Sequence, residues 1–252
     1  MTKYFLLLCA FFAETQSQLR GQVPGPIQAD RPDQSESPFT TPKNHFQTET
    51  GFVMEKTNSM FKTYTAPSIL FKYGLSDQMD VGVETDFSST KPSYEGAGLH
   101  PVTLVFREKM AEEKGIRPAT AFIGYLTIPK LASEKLQGRY LAPAFRFTMQ
   151  NTLSDKISLS YNIGSEWSGD YDPEPTFIYT LTTGFEVSEK INAFVEIYGF
   201  AMQDSPTDNR FDAGLTYLVQ SNLAVDISAG VGMSEIAPDY FVGFGFSLRL
   251  KD

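Results

Sequence analysis

The sequence predicts an all-β protein, a transmembrane antiparallel up-and-down β-barrel of about twelve strands with both termini in the periplasm. Three observations lead to this prediction. Apolar and polar residues alternate over segments of about 9 to 15 residues, short turns that contain serine and an acid recur between these segments, and an apolar leader opens the chain. Alternation of this kind suits a strand that faces lipid on one side and a polar lumen on the other.

The first residues form the apolar leader. Lys3 supplies a positive charge, residues 4–13 are apolar, and a polar run follows over residues 14–22. An apolar run of about ten residues is too short to span a bilayer as a helix, which needs about 20. We therefore predict a signal peptide over residues 1–21, with a buried N-terminal helix as the alternative. The one cysteine, Cys9, lies in this leader, so the mature chain is expected to form no disulfide within itself.

Short turns divide the rest of the chain into strands. Residues 75–78, 153–156 and 187–190 each hold an apolar residue, a serine, an acid and a long polar residue, and 219–222 is a looser copy. Serine and aspartate side chains bond back to nearby backbone amides, so these clusters predict hairpin turns. The predicted strands are 45–56, 63–75, 79–87, 101–109, 117–128, 139–153, 157–167, 177–187, 191–201, 210–219, 223–233 and 241–250.

The connections between these strands alternate in length. The four turns and residues 110–116 are the short connections. The longer connections are rich in Gly, Pro and Asp and cover residues 56–62, 88–100, 129–138, 168–176, 202–209 and 234–240. Outer-membrane barrels have short periplasmic turns and longer external loops, and an even strand count places both termini on one side, so we predict periplasmic termini. A soluble lipocalin-like barrel or sandwich is the alternative, but it would have about eight strands and an apolar interior.

Composition and charge narrow the function. The chain has 252 residues, 41% of them hydrophobic and 13% aromatic, and its mean hydropathy is -0.21. A helical membrane protein would be more apolar, whereas a barrel exposes every second strand residue to water. The net charge of -9 argues against nucleic acid as a partner. The predicted domains are the leader, a periplasmic N-terminal segment over residues 22–42 and an outer-membrane β-barrel over residues 43–252.

One face of the predicted strands carries charged side chains. In strand 79–87, Met79 and Val81 alternate with Asp80 and Glu84. A charged side chain that faces lipid at mid-membrane costs about 2 to 4 kcal/mol for Arg or Lys, so we assign the charged face to the lumen. The predicted lumen residues are nine acids and five bases, namely Glu49, Lys72, Asp80, Glu84, Asp86, Arg107, Arg146, Glu166, Glu186, Glu196, Arg210, Asp212, Asp226 and Arg249.

These charges allow two interpretations. Acids and bases could pair across a narrow lumen and fix the register of the strands. Alternatively, they could line a water-filled path whose acidic excess favours cations or neutral polar solutes. Both can hold at once. On the opposite face, Val225, Ile227 and Val231 are among the residues predicted to contact lipid.

The segment before the first strand is polar and contains prolines. Such a composition usually indicates a solvated linker. Here the sequence from Asp30 to Pro38, followed by Pro42-Lys43 and by His-Phe-Gln-Thr-Glu-Thr-Gly-Phe over residues 45–52, resembles the opening of the outer-membrane transporter family named after the meta-pathway of phenol degradation. Two shorter strings, 74–77 and 127–129, resemble the family less specifically. The resemblance implies a barrel over the whole mature length, a channel or transporter role, and aromatic or other hydrophobic substrates.

A periplasmic N-terminal segment next to an acidic lumen has a second interpretation. It could fold up into the barrel as a plug, with its arginine meeting the lumen acids. The candidate plug residues are Asp30, Arg31, Asp33 and Glu36.

Two other functions compete with transport, a structural or adhesion barrel and a lipid-modifying enzyme. An outer-membrane phospholipase needs a Ser and a His on the outer face of the barrel, with a polar residue that orients the His. Neither His45 nor His100 lies in a His-x-Ser arrangement, and no zinc, calcium or phosphate-binding motif is present. We therefore expect a non-enzyme without catalytic residues, cofactor or metal. The expected partners are outer-membrane lipid, the barrel-assembly machinery and a small-molecule solute, at the bacterial outer membrane; the oligomeric state is left open.

Overall fold

The structure is a computed structural model that describes residues 25–92, 97–170 and 174–251. The predicted signal peptide, residues 1–21, lies outside the described residues, as do the first three residues of the predicted N-terminal segment. The described residues contain no helix that is both long and apolar enough to span a membrane. A three-residue 3-10 helix, Glu134–Leu136, lies in one connection.

Twelve long strands and one two-residue strand form a single antiparallel sheet within the described residues. In chain order the strands are β1 His45–Lys56, β2 Lys62–Ser76, β3 Met79–Lys91, β4 Gly98–Leu99, β5 Val102–Ala111, β6 Ala119–Ile128, β7 Ala142–Ser154, β8 Ile157–Glu166, β9 Thr176–Ser188, β10 Ile191–Ala201, β11 Asp208–Gln220, β12 Leu223–Gly232 and β13 Tyr240–Lys251.

The sheet closes on itself. Each long strand pairs with the next long strand along the chain, and β1 pairs with both β2 and β13, in a register that runs from His45 opposite Lys251 to Lys56 opposite Tyr240. Closure leaves no exposed sheet edge, which is the condition for a strand protein to cross a bilayer. The predicted up-and-down barrel of twelve strands is therefore confirmed.

Side chains alternate between the two faces of the barrel wall. In β12, Asp226 and Ser228 are buried, while the alternate residues Val225 and Ile227 are 40% and 54% exposed. The exposed face is apolar and the interior holds charged and polar groups, because the largest fully buried side chains include Arg107. This inverts the arrangement of a soluble barrel, and it matches a wall between lipid and a polar lumen.

Several predicted strand bounds differ from the observed ones, and three of the differences have a clear cause. β3 extends beyond Phe87 to Lys91, because its last residues pair with the first residues of β2; the predicted loop 88–100 also did not include β4, which pairs with Phe87 and Ser88. β6 begins two residues later than predicted, since Arg117 pairs instead with Lys114 within the preceding connection. β7 begins three residues later than predicted, because the amides of residues 139 and 140 donate to the carbonyl of Gly169 in a neighbouring loop.

Candidate functional site

The predicted lumen residues all lie on the inward-facing positions of their strands, at three degrees of exposure. The buried ones are Glu49, Lys72, Asp80, Arg107, Glu196, Asp212, Asp226 and Arg249. The partly exposed ones are Glu84, Asp86, Arg146, Glu166 and Arg210. Glu186 is exposed, because it lies at the end of β9 next to a short turn and lines a cavity that opens there.

The N-terminal segment, of which residues 25–42 are described, lies inside the barrel. Its backbone amides donate to inward-facing carboxylates on well separated strands: Gln34 to Glu196 of β10 at 2.7 Å, and Thr41 to Asp80 of β3 at 2.7 Å. The side chain of Gln47 in β1 donates to its backbone at 2.7 Å. A short segment can contact three well separated strands of a closed barrel only if it lies inside the barrel.

Both ends of the N-terminal segment lie at the rim that carries the short turns. The amide of Ile27 donates to the carbonyl of Ser221 in the turn between β11 and β12, at 2.8 Å. At the other end, the hydroxyl of Thr40 donates to the carbonyl of Asp77 in the turn between β2 and β3, at 3.0 Å. Between these ends the segment rises to mid-barrel, where the hydroxyl of Ser35 contacts those of Thr180 and Thr182 in β9. The segment therefore enters and leaves through the same rim.

Asp30 is the most connected side chain of the segment. Its carboxylate lies 2.6 Å from Nζ of Lys72 and accepts two bonds from the guanidinium of Arg107, at 2.7 and 3.0 Å. Glu49 completes this group, since one of its oxygens lies 2.5 Å from Nζ of Lys72 and the other accepts the amides of Asp30 and Arg31. We call Asp30, Glu49, Lys72 and Arg107 the Asp30 cluster. All four are buried, so none of these charges could remain without its partners at low cost.

Glu36 forms a second attachment on the same side of the barrel. Its carboxylate lies 2.8 Å from the guanidinium of Arg107 and 3.8 Å from that of Arg146. Its backbone is held by Asn162, which accepts from the Glu36 amide at 2.6 Å and donates to the Glu36 carbonyl at 3.1 Å. The acids of the segment thus meet lumen bases, a pairing that the sequence did not predict.

Arg31 attaches the segment to β12 through a lumen acid. Its guanidinium lies 2.9 Å from the carboxylate of Asp226 in β12. It lies over Gly51 of β1 and Gly245 of β13, where an added Cβ would come within 2.0 and 2.5 Å of guanidinium atoms. Glycine at these two inward-facing strand positions therefore leaves the space that Arg31 occupies.

The two neighbouring acids form no ion pair among the described residues. Glu196 and Asp212 lie directly opposite each other on β10 and β11, and Asp33 lies within electrostatic reach of both. Glu196 accepts from the amide of Gln34 and from the hydroxyl of Thr182, whereas Oδ1 of Asp212 is buried without a hydrogen-bond partner among the described residues. The described residues include no group of three His, Cys, Asp or Glu side chains placed to hold a metal ion.

Arg210 pairs near the rim that carries the long loops. Its guanidinium lies 3.0 Å from Glu55 of β1 and 2.6 Å from Asp208. Glu55 is not among the predicted lumen residues, although it lies on the same face of β1 as Glu49. Its partner lies 155 positions away in the chain, so alternation could reveal the face but not the pair.

His100 has a partner that the sequence did not reveal. Its Nε2 lies 2.6 Å from the hydroxyl of Ser88, because the pairing of β3 with β4 brings the two strand ends together. A cavity of about 210 Å³ lies beside them and is lined in part by Glu84 and Asp86. Within the described part of the chain no carboxylate hydrogen-bonds to His100. The third member of a hydrolytic triad is therefore not in place.

The N-terminal segment leaves part of the lumen free. A cavity of about 360 Å³ lies between the segment and the inner faces of β7 to β10, on the side of the short turns. It is lined by Asp33, Lys156, Glu186 and Asn192, among other mostly polar residues. Solutes of small size therefore have polar space to enter from this rim.

Comparison with solved structures shows the same fold. An outer membrane channel from Pseudomonas putida F1 matches with a TM-score of 0.65 and 11% identity, over 84% of this chain and 97% of that one. The KdgM porin matches with a TM-score of 0.59 and 8% identity, over 80% and 98% of the two chains. The NanC porin matches with a TM-score of 0.58 and 7% identity, over 81% and 100%. The closed barrel is therefore that of outer membrane channels and porins, consistent with the bacterial outer membrane.

Comparison with protein families gives one result. Residues 29–250 match the model of the family described as "Putative MetA-pathway of phenol degradation". No curated protein sequence matches the chain. The matched range includes the candidate plug residues as well as the barrel strands.

Proposed function

Since the chain belongs to the family of the MetA-pathway of phenol degradation, whose model covers residues 29–250, we propose that it is an outer-membrane channel for small solutes. The observation that carries the proposal is the closed twelve-stranded wall, apolar outside and charged inside, with polar space left next to the N-terminal segment. Charged groups around a water-filled path select solutes by charge and size.

The N-terminal segment is the part that controls the path in this proposal. Three of its side chains, Asp30, Arg31 and Glu36, pair with charges on the barrel wall, and Ser35 bonds to β9 at mid-barrel. A solvated linker would make no such set of buried contacts. We propose that residues 22–42 form a plug and that residues 43–252 form the barrel. We also propose that the termini are periplasmic, which places the plug at the periplasmic entrance.

The solute class follows from the family and the lumen together. The family name associates its members with the degradation of phenol, an aromatic compound with a hydrogen-bonding hydroxyl group. The interior offers hydroxyls, amides and an excess of carboxylates, which suits neutral polar aromatics and cations better than anions. We propose small aromatic compounds as the transported class. Proteoliposome swelling tests this: a phenol should enter faster than a benzoate of similar size, and equal rates would contradict selection by the lumen.

Conductance across a planar bilayer tests the channel and the plug separately. The refolded protein without residues 22–38 should show larger and more cation-selective steps than the full chain, with the barrel still folded by circular dichroism. If this variant folds but conducts no current, the channel proposal fails. If it conducts as the full chain does, the channel stands and the plug proposal fails.

A reversible cross-link makes the plug test sharper. The hydroxyls of Ser35 and Thr182 lie 2.6 Å apart, so the double variant Ser35→Cys/Thr182→Cys places two thiols within reach of each other. Oxidation should lower conductance below the level of the unlinked chain, and a reducing agent should restore that level. The single variant Ser35→Cys is the control, since the same reagents should not change its conductance. A double variant that is equally indifferent to oxidation contradicts a moving plug.

The two competing functions, a structural or adhesion barrel and a lipid-modifying enzyme, have less support. The similar structures are channels and porins, which favours a non-enzyme. The pair of Ser88 and His100 is the specific observation on the enzyme side, but Ser88 faces inward and is only 6% exposed. A lipid-modifying site needs a nucleophile on the lipid side, so we propose that this pair stabilises the end of β3.

A further inference from the structure

Three lysines stand side by side at the rim that carries the long loops. Lys56 at the end of β1 lies directly opposite Lys62 at the start of β2, and Lys62 lies directly opposite Lys91 at the end of β3. Directly opposite residues on antiparallel strands have Cβ atoms about 4.5 to 5.5 Å apart on the same face. We call Lys56, Lys62 and Lys91 the lysine row.

The lysine row lies on the outer face of the barrel. Glu55 reaches Arg210 inside the lumen, so Lys56, the next residue, points outward. Two tyrosines on the outer face flank the row: Nζ of Lys56 lies 5.7 Å from the ring of Tyr240, and Nζ of Lys91 lies 5.1 Å from the ring of Tyr64. Tyrosines of this kind mark the interface between hydrocarbon and head groups.

The positive charge of the row exceeds what the described residues neutralise. Asp239 lies 2.7 Å from Nζ of Lys56. Lys62 and Lys91 are exposed and form no ion pair with any residue that the structure describes. Like charges placed directly opposite each other destabilise a strand pair, so an external anion between them would remove an unfavourable interaction.

Apolar residues accompany the charges. Met60 and Phe61, which precede Lys62 in the loop between β1 and β2, are 69% and 37% exposed. An exposed apolar tip beside lysines and tyrosines suits the boundary between acyl chains and phosphate groups. The combination indicates a lipid with both parts rather than a free anion.

We propose that the lysine row binds the phosphate groups of a phosphorylated glycolipid, the lipid A portion of lipopolysaccharide, in the outer leaflet. The inference rests on the proposed function only through the orientation of the barrel, which places the long loops outside the cell. Ammonium groups bind phosphate oxygens through charge-assisted hydrogen bonds, which are about twice as strong as neutral ones. Lys62 and Lys91, which form no ion pair among the described residues, lie next to Lys56, so the three can bind phosphate groups without any change in the strands.

Native mass spectrometry of the refolded full chain in detergent, titrated with lipid A, tests the site. Lys56→Gln/Lys62→Gln/Lys91→Gln should weaken binding about 100-fold, and Lys62→Gln alone about fivefold. Lys62→Arg should keep the affinity. The matched control is Lys114→Gln/Lys190→Gln/Lys251→Gln, which removes the same charge from three exposed lysines at the other rim.

Three outcomes would overturn the proposal. Equal losses in the two triple variants would mean that lipid A responds to net charge alone. Unchanged binding to lipid A without its phosphates would show that the phosphates are not recognised. A loss for phosphatidylglycerol but none for lipid A would mean that the row faces the inner leaflet. The conductance of the lysine variants should equal that of the unmodified chain, so a failure of this site is distinguishable from a failure of the channel proposal.

Discussion

The two sides of the lumen hold the N-terminal segment in different ways. On one side, which we call the basic side, Lys72, Arg107 and Arg146 project from β2, β5 and β7 and meet the segment's carboxylates. On the other, the acidic side, three carboxylates project from the consecutive strands β10 to β12, and one of them pairs with the segment's arginine. The segment's carboxylates therefore meet bases on one side of the lumen, and its arginine meets an acid on the other.

The difference between the two sides lies in burial and in the number of partners. Asp30 is buried and meets two bases that are themselves buried, whereas the side chain of Arg31 is 18% exposed and meets one carboxylate. Breaking a buried pair leaves a charge without solvent, which costs far more than breaking a pair that water can reach. We therefore expect the basic side to fix the segment and the acidic side to release it first.

The largest expected effect is that of Asp30→Asn. The change leaves Lys72 and Arg107 with one carboxylate fewer in a buried site, so the docked segment should lose about 3 to 5 kcal/mol. A cysteine at position 37 reports undocking by its rate of maleimide labelling, since the hydroxyl of Ser37 has no hydrogen-bond partner among the described residues. In this background, Asp30→Asn should accelerate labelling at least 100-fold. An unchanged rate would mean that the Asp30 cluster does not fix the segment.

The next effect belongs to Arg31→Ala, on the acidic side. It removes one partly exposed pair, worth about 2 kcal/mol for hydrogen bonds to a charged group, so labelling at position 37 should accelerate about 30-fold. A larger acceleration than that of Asp30→Asn would reverse the assigned order of the two sides.

A smaller effect is expected of Gly51→Ala, which places a new side-chain atom on the barrel wall in the space that Arg31 occupies. The three heavy atoms nearest the new Cβ would all belong to the guanidinium of Arg31, at 2.0 to 3.0 Å, so Arg31 must move. Labelling should accelerate by less than in Arg31→Ala. Gly243→Ala is the control, because its Cβ would meet its nearest neighbours at 3.4 Å, an ordinary contact. Similar rates in the two variants would contradict the role given to the space above Gly51.

The smallest effect is expected of Asp212→Asn. This substitution removes charge from a carboxylate that lies opposite Glu196 and has one oxygen without a partner. Labelling at position 37 should stay the same or slow slightly, because repulsion on the acidic side falls. An acceleration like that of Arg31→Ala would show that Asp212 attaches the segment after all.

Alternation in the sequence was sufficient to predict the barrel. β1 and β10 begin and end at the predicted residues. Alternation with a period of two fixes the face of a strand, and a short turn, such as the one before β10, fixes where the strand begins. The end of β3 was harder to predict, because its last residues pair with β2 and the following loop, rich in Gly and Pro, folds back to form β4; no local pattern encodes either pairing.

The sequence predicted which side chains face the lumen but not which groups they contact there. Parity alone indicates that Asp226 and Arg107 point inward, yet the groups they meet, Arg31 and Asp30, lie 195 and 77 positions away. The sequence suggested one attractive pairing, arginine with lumen acids, and did not reveal that the segment's acids would meet lumen bases. Gly51 gave no signal either, because the space it leaves has meaning only once Arg31 is placed over it.

The two ends of the N-terminal segment at one rim decide how it would respond to mechanical force. A pull on its N-terminal end from that rim does not drag the chain through the barrel. It acts on contacts one after another, first on Gly25 with Arg249 and Ile27 with Ser221, then on Gln28 with Gln47, and only then on the Asp30 cluster. Bonds loaded in sequence yield at lower force than bonds loaded together. The contacts of the segment would therefore break in order from its N-terminal end, and the force needed would be set by the Asp30 cluster.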